Sequence, residues 1–239
     1  MRPLPFVADF LALLYPTLCL ACDQILLSGE HECCTPCRTA LPYLGYHLPH
    51  QTTAPTDTPL ARRFWGKVPV RHALGYLQFT PQGAVQQLLH RLKYENQPDL
   101  ARMLGRWFGT ELAGAGYGST FHGLVPVPMH PAKQRRRGYN QATCFAEGLA
   151  VGLHLPIWEA ALTKVTNAES QTRKSRLARW QNVGKGYAAS AEGAAQVRGQ
   201  HVLLVDDVLT TGATLEACTA SLLAAGAGAV SIATIAAAG

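Results

Sequence analysis

Charge is what this sequence is shortest of. Only 15% of its 239 residues are Asp, Glu, Lys or Arg, against 48% hydrophobic. A chain this apolar can bury a core, which excludes intrinsic disorder. Acids are scarcer than bases, 15 against 21, giving a net charge of +6. That excess favours anionic ligands but is too small to establish a nucleic-acid binder. A long hydrophobic run is also missing. The most apolar stretch, Leu4 to Leu18, is broken by Asp9 and by prolines at both ends, and is too short to span a bilayer. Arg2 before an apolar run is compatible with a signal peptide. However, Asp9 lies inside that run and no small-x-small cleavage site follows it. Leu11, Leu14, Tyr15 and Leu18, like Phe6 and Phe10, instead recur at helical spacing. The expectation is a short amphipathic helix on a cytoplasmic protein. No internal repeat is found, which excludes a solenoid.

Cysteines are few and unevenly placed: five of seven fall between Cys19 and Cys37. In the cytosol such crowding points to metal rather than disulfides. Cys19-x2-Cys22 and Cys34-x2-Cys37 are separated by eleven residues. Each pair can turn two thiolates toward one ion, and two pairs complete a tetrahedral four-cysteine site typical of structural Zn2+. Such a site leaves no open position for catalysis. Cys33 beside Cys34 makes the register ambiguous, and His31 is a weaker substitute ligand. Two disulfides or plain buried thiols are the alternatives, and the doubled C-x2-C favours zinc. Cys144 and Cys218 fall in predicted helices and read as buried thiols.

Three sections follow from pattern: residues 1–45, helix and cysteine module; 46–72, an extended Pro-, Thr- and His-rich connector; and 73–239, alternating strands and helices. In the last section, strands are expected at Ala73–Thr80, Gly123–Val127, His201–Val205 and Ala229–Ala236. Helices are expected from Pro81 to about Tyr94, and at Leu100–Leu112, Gly138–Leu153 and Gly212–Ala225. A short helix is expected at Arg176–Asn182. The alternation predicts an α/β fold, a parallel sheet with helices on both faces.

The most informative segment is VLLVDDVLTTGAT, Val202 to Thr214. Four apolar residues form a buried strand, and Asp206 and Asp207 follow at its carboxyl end, where ligands sit in open α/β sheets. Thr210, Thr211, Gly212, Ala213 and Thr214 then lead into a helix. Small residues there leave backbone N–H groups exposed at the positive end of the helix dipole, a ready phosphate site. Carboxylates about one sugar away can accept hydrogen bonds from two ribose hydroxyls. Two further segments support an anionic ligand. VPVPMHPAKQRRRGYNQ, Val125 to Gln141, ends a strand in a loop backed by Lys133, Arg135, Arg136 and Arg137. ESQTRKSRLARWQN, Glu169 to Asn182, is polar and basic and reads as a hood that closes over a substrate.

The Val202–Thr214 order resembles the binding fingerprint of type I phosphoribosyltransferases for 5-phosphoribosyl-1-pyrophosphate (PRPP). Together with VPVP…RGYNQ, the SQT…R…N pattern, LHRLKY at Leu89–Tyr94 and the cysteine module, it resembles the ComF family of competence proteins. The resemblance covers nearly the whole chain. It implies a type I phosphoribosyltransferase fold with Asp206 and Asp207, the candidate catalytic pair, on the ribose hydroxyls. Thr210 to Thr214 would hold the 5-phosphate, and the Met129–Ala132 loop, including His130, would face the pyrophosphate. Arg176 and Arg179 would come from the hood. Mg2+ would arrive on PRPP, bridging its own oxygens.

Three functions fit. One is transfer of phosphoribose from PRPP to an unidentified acceptor with release of pyrophosphate. The second is DNA handling with competence-machinery proteins, since the resemblance implies uptake of single-stranded DNA. Ten of the 21 Lys and Arg residues lie between 133 and 185, with Tyr139 and Trp180 as stacking faces. PRPP would want the same cations, so the position of the basic surface discriminates. The third is a PRPP-sensing regulator. The favoured reading is a PRPP-binding protein associated with DNA uptake.

Overall fold

The computed structural model describes residues 16–48, 56–165 and 186–238. The hood segment with Arg176 and Arg179, and the expected N-terminal helix up to Tyr15, lie outside the described residues. Two compact units are present, Met1–Pro42 and Tyr43–Gly239.

In the first unit Leu18 is not helical; it bridges Ile25 in antiparallel fashion. Left-handed turns at Asp23, Gly29 and Glu32 fold the chain tightly between the cysteine pairs. The Glu30 carboxylate accepts from the N–H groups of Leu27 (2.9 Å) and Thr35 (2.7 Å). Helix α1, Thr35–Thr39, starts directly after Cys34, with proline in its first turn.

The second unit is built on a four-stranded parallel sheet of order β1-β6-β5-β2. The strands are β1 (Ala73–Phe79), β2 (Gly123–Pro126), β5 (His201–Leu209) and β6 (Ala229–Ala238). A separate antiparallel pair joins β3 (Leu162–Lys164) to β4 (Tyr187–Ala189). The helices are α2 (Pro59–Arg62), α3 (Ala84–Tyr94), α4 (Pro98–Gly114), α5 (Pro131–Arg137), α6 (Gln141–Leu153), α7 (Ala191–Val197) and α8 (Ala213–Ala224).

Alternation along β5 divides the core. Val202 and Leu204 join Leu215, Cys218 and Leu222 of α8 in one buried cluster. Leu203 and Val205 project the other way, because successive strand residues point to opposite faces. Helix α6 packs on β5 and β2, and α4 packs on α6. Each fully buried leucine contributes about 1.5–3 kcal/mol. Helices α4 and α6 touch backbone to backbone. A Cβ at Gly105 would stand 2.3 Å from the Phe145 carbonyl oxygen, and one at Gly148 2.1 Å from that of Arg102.

Local chemistry moves several boundaries from those the sequence suggests. Helix α3 begins at Ala84 rather than Pro81, because Gln82 is left-handed (φ 60°) and Gly83 is the N-cap. Gly138 does not start α6. It closes α5 in the left-handed conformation (φ 83°), and Asn140 then caps α6. The cationic run, to which the sequence assigned no element, is therefore a short helix. The stretch expected to be extended carries α2, whose Leu60 and Ala61 are buried. Strand β5 runs through Asp206 and Asp207 to Leu209. Its neighbour β6 pairs the full length, Asp206 opposite Thr234 and Leu209 opposite Ala237. Cross-strand pairing here overrides the poor strand propensity of aspartate.

Candidate functional site

Strands β2 and β5 end side by side. Pro126 pairs with Val205, and the Val127 N–H extends the ladder by donating to the Val205 carbonyl at 2.8 Å. Beyond that point the two chains part and a cleft opens at the carboxyl ends of the strands. Its walls include Met129, His130, Lys133, Arg137, Asn140, Lys164, Tyr187, Asp206, Asp207 and Thr214. Five sequence-derived residues thus meet: Met129, His130, Asp206, Asp207 and Thr214. Thr210 lines a neighbouring hollow with Phe79, Leu89 and Val208.

The acid pair is asymmetric. Asp207 is ion-paired with Lys93 of α3, Nζ to Oδ2 at 3.0 Å. Its own N–H donates to Asp206 Oδ1 at 2.9 Å. Desolvation and then the charge of Asp207 push the Asp206 carboxyl up to about 8, against the pull of the Asp207 N–H, Lys93 and Lys164. Asp206 keeps some solvent contact, so desolvation acts on it less than on a sealed carboxyl. Lys164 reaches the cleft from β3, 3.2 Å from the Tyr187 hydroxyl and 5.1 Å from the centre of that ring.

The N-cap of helix α8 is Gly212, which is buried with φ 85°. Its first turn has no strong side-chain cap; Thr211 Oγ1 stands 3.5 Å from the Ala213 nitrogen. Backbone donors are therefore left for an anion at the positive end of the dipole. The loop is braced from outside. Arg63, just after α2, donates to the Thr210 carbonyl (2.5 Å) and also to the Ala238 carbonyl. Lys67 pairs with Glu216 at 2.6 Å. A Cβ on Gly212 would stand 3.2 Å from the Phe64 ring. Gly212→Ala is therefore expected to lower stability in urea titrations by about 1–2 kcal/mol, the usual cost of a left-handed non-glycine residue.

The opposite wall is α5. His130 caps it, Nδ1 accepting from the Ala132 N–H at 3.1 Å. Lys133 and Arg137, one helical turn apart, line the cleft. Arg135 and Arg136 instead line a second groove with Lys93, Tyr94 and Asn96. The polar residues after Gly138 hold the wall in place. Asn140 Nδ2 donates to the Val127 carbonyl (2.9 Å), and Gln141 Nε2 to the Leu92 carbonyl (3.0 Å). The Tyr139 hydroxyl donates to that same carbonyl.

In the first unit, the sulfurs of Cys19, Cys22, Cys34 and Cys37 all lie within 4.8 Å of one another, an arrangement that could hold a metal ion. The Cys22 and Cys34 sulfurs are 3.7 Å apart. Four thiolates bound tetrahedrally at about 2.3 Å stand about 3.8 Å apart, so the set fits one ion. The register is resolved for Cys34. Cys33 stays outside the group, its thiol contacting the Cys34 carbonyl at 3.6 Å, and burial pushes it up to about 12. Burial opposes ionisation of Cys19 too, but backbone N–H groups, Cys34's foremost, outweigh it and bring the thiol down to about 6.

The phosphoribosyl transferase domain family matches residues 142–239. The Escherichia coli K12 DNA utilization protein YhgH is 26% identical over 91% of this chain and 95% of its own length. Competence protein ComFC of Bacillus subtilis is 25% identical over 89% and 91%. Competence protein F of Haemophilus influenzae is 30% identical over 54% of this chain and 57% of its own. Over nearly its whole length the chain is similar to these DNA utilization and competence proteins. Its α/β unit has the type I phosphoribosyltransferase fold. Among solved structures, the Bacillus subtilis glutamine PRPP amidotransferase covers 61% of this chain at 21% identity and a TM-score of 0.43, over 30% of its own length.

Sequence reasoning missed four residues of this cleft and its bracing: Lys93, Lys164, Tyr187 and Arg63. Lys93 sits in LHRLKY, whose lysine among apolar helix residues was the available signal. The other three lie in segments without local pattern.

Proposed function

We propose that this chain binds PRPP with Mg2+ in the cleft between β2 and β5. One observation carries the reading: the acid pair and the uncapped start of α8 share a strand–loop–helix facing Lys133 and Arg137. A molecule with a phosphate, a vicinal diol and a diphosphate matches those three surfaces. The α8 N–H groups and the hydroxyls of Thr210, Thr211 and Thr214 hold the 5-phosphate. Asp206 and Asp207 accept from the ribose hydroxyls. The Met129–His130 loop, Lys133 and Arg137 face the diphosphate, and Arg176 and Arg179 come from the hood. Mg2+, arriving on the diphosphate, would supply electrostatic stabilisation of its charge beside Lys133 and Arg137. The four-cysteine group holds structural Zn2+. The names of the relatives, DNA utilization and competence, support a role in handling DNA; single-stranded DNA uptake, from the cytoplasmic side, is the form of it proposed here.

Calorimetry with PRPP and Mg2+, combined with a pyrophosphate assay on the same samples, tests this. The expected result is saturable binding that requires Mg2+. Binding without pyrophosphate release supports a binding or sensing role; acceptor-dependent release makes the protein a transferase. Absence of PRPP binding overturns the proposal.

A further inference from the structure

The cationic run of α5 serves two places. Lys133 and Arg137 are four residues apart and reach the cleft, so a diphosphate there accounts for both. It does not account for Arg135 and Arg136. These line a separate groove of about 770 Å³, against about 210 Å³ for the cleft. Among the described residues, no carboxylate pairs with either arginine. Glu95, next in sequence to Tyr94 of this groove, is engaged by Arg91 (3.3 Å) and His90 (3.4 Å), and Glu147, the acid nearest the arginines in sequence, by Arg102 (2.5 Å). Adjacent like charges with no counter-charge repel one another, and a polyanion removes that cost.

The groove also presents a ring. Tyr94 is 64% exposed, a large apolar surface to leave in water, and Arg137 sits 5.8 Å from its centre. Cations that track a phosphate backbone beside an open aromatic face are the elements of single-strand recognition. Bases paired in a duplex cannot leave the stack to use such a ring.

We infer that this groove is a second anion site that takes the phosphodiester backbone of a single-stranded nucleic acid, with Arg135 and Arg136 on phosphates and Tyr94 under a base. The inference rests on the DNA-handling reading only for the choice of DNA as the strand, and is independent of PRPP binding. Arg137 lines both groove and cleft, and Lys93 of the groove is ion-paired with Asp207 of the cleft, so the strand runs up to the ligand site.

The test uses the full chain and an oligodeoxythymidylate of about 20 nucleotides, enough to fill such a site, followed by fluorescence anisotropy across a salt series. Arg135→Gln/Arg136→Gln is expected to weaken binding about tenfold and to flatten the salt slope by roughly 1.4, the share of two phosphate contacts on a single strand. Tyr94→Ala is expected to weaken binding several-fold without changing the slope. All three residues are solvent-facing, so melting temperatures should not move; PRPP calorimetry on the same variants reports the cleft separately. Unchanged affinity and slope in the arginine variant overturn the inference. So does a duplex of equal length that binds as tightly, which would make the groove a general DNA surface. Inorganic triphosphate or polyglutamate binding as tightly, with no effect of Tyr94→Ala, would assign it to polyphosphates or acidic proteins.

Discussion

Asp206→Asn/Asp207→Asn is expected to abolish PRPP binding in calorimetry, a loss of at least about 100-fold. Each carboxylate that accepts from a ribose hydroxyl contributes about 1.5–3 kcal/mol, and the double change removes both. The fold should survive, because neither side chain belongs to the buried cluster. Stability in the absence of ligand should even improve, with a definite pH dependence. The Asp206 carboxyl is held up at about 8, above its unfolded value of 3.8. Between those values the native state binds the extra proton, so its stability falls as pH rises through the window. Unliganded Asp206→Asn should therefore melt higher than wild type at pH 8 by about 3–8 °C, with the carboxyl's partial exposure limiting the gain. Below pH 4 the two should melt together. A wild type that is no less stable than the asparagine variant at pH 8 would mean that Asp206 ionises freely.

Stripping the metal from the four-cysteine group should undo the first unit and leave the second folded. Among the described residues of the first unit, the buried apolar ones are Cys19, Cys33, Cys34 and Leu41, three of them cysteines at or beside the four-cysteine group. Structural zinc contributes about 10–16 kcal/mol in comparable small modules. Chelation or Cys34→Ser is expected to open residues 16–42 to limited proteolysis and to remove one zinc per chain by metal analysis. Cys33→Ser should keep the zinc, since that sulfur stands outside the group. Loss of zinc in Cys33→Ser with retention in Cys34→Ser would reverse the register.

The parts of this protein that a reader of the sequence could find are those written in consecutive residues. The buried strand, the acid pair and the start of α8 occupy thirteen positions in a row. Hydrophobic alternation, turn glycines and helix periodicity all act over that range, so they declare themselves locally. The bracing of the loop does not. Arg63 lies 147 residues from Thr210, and nothing near Arg63 signals what it will touch. Lys164 and Tyr187 meet only because β3 and β4 pair. The boundary of β5 failed for a related reason: two aspartates end a strand by propensity, and only the presence of β6 keeps it going. In α5, the residue types were legible but their division between two surfaces was not, since it depends on where the helix sits.

The order of the strands has a consequence for how the chain is made. The two inner strands, β5 and β6, are the last in the sequence, and the outer ones, β1 and β2, come earlier. On the ribosome, β1 and β2 emerge with no partner and cannot pair with each other across the missing centre. The sheet closes only when β5 and β6 have left the exit tunnel. Until then the nascent protein exposes two unpaired apolar strands, the condition under which chains recruit chaperones or aggregate.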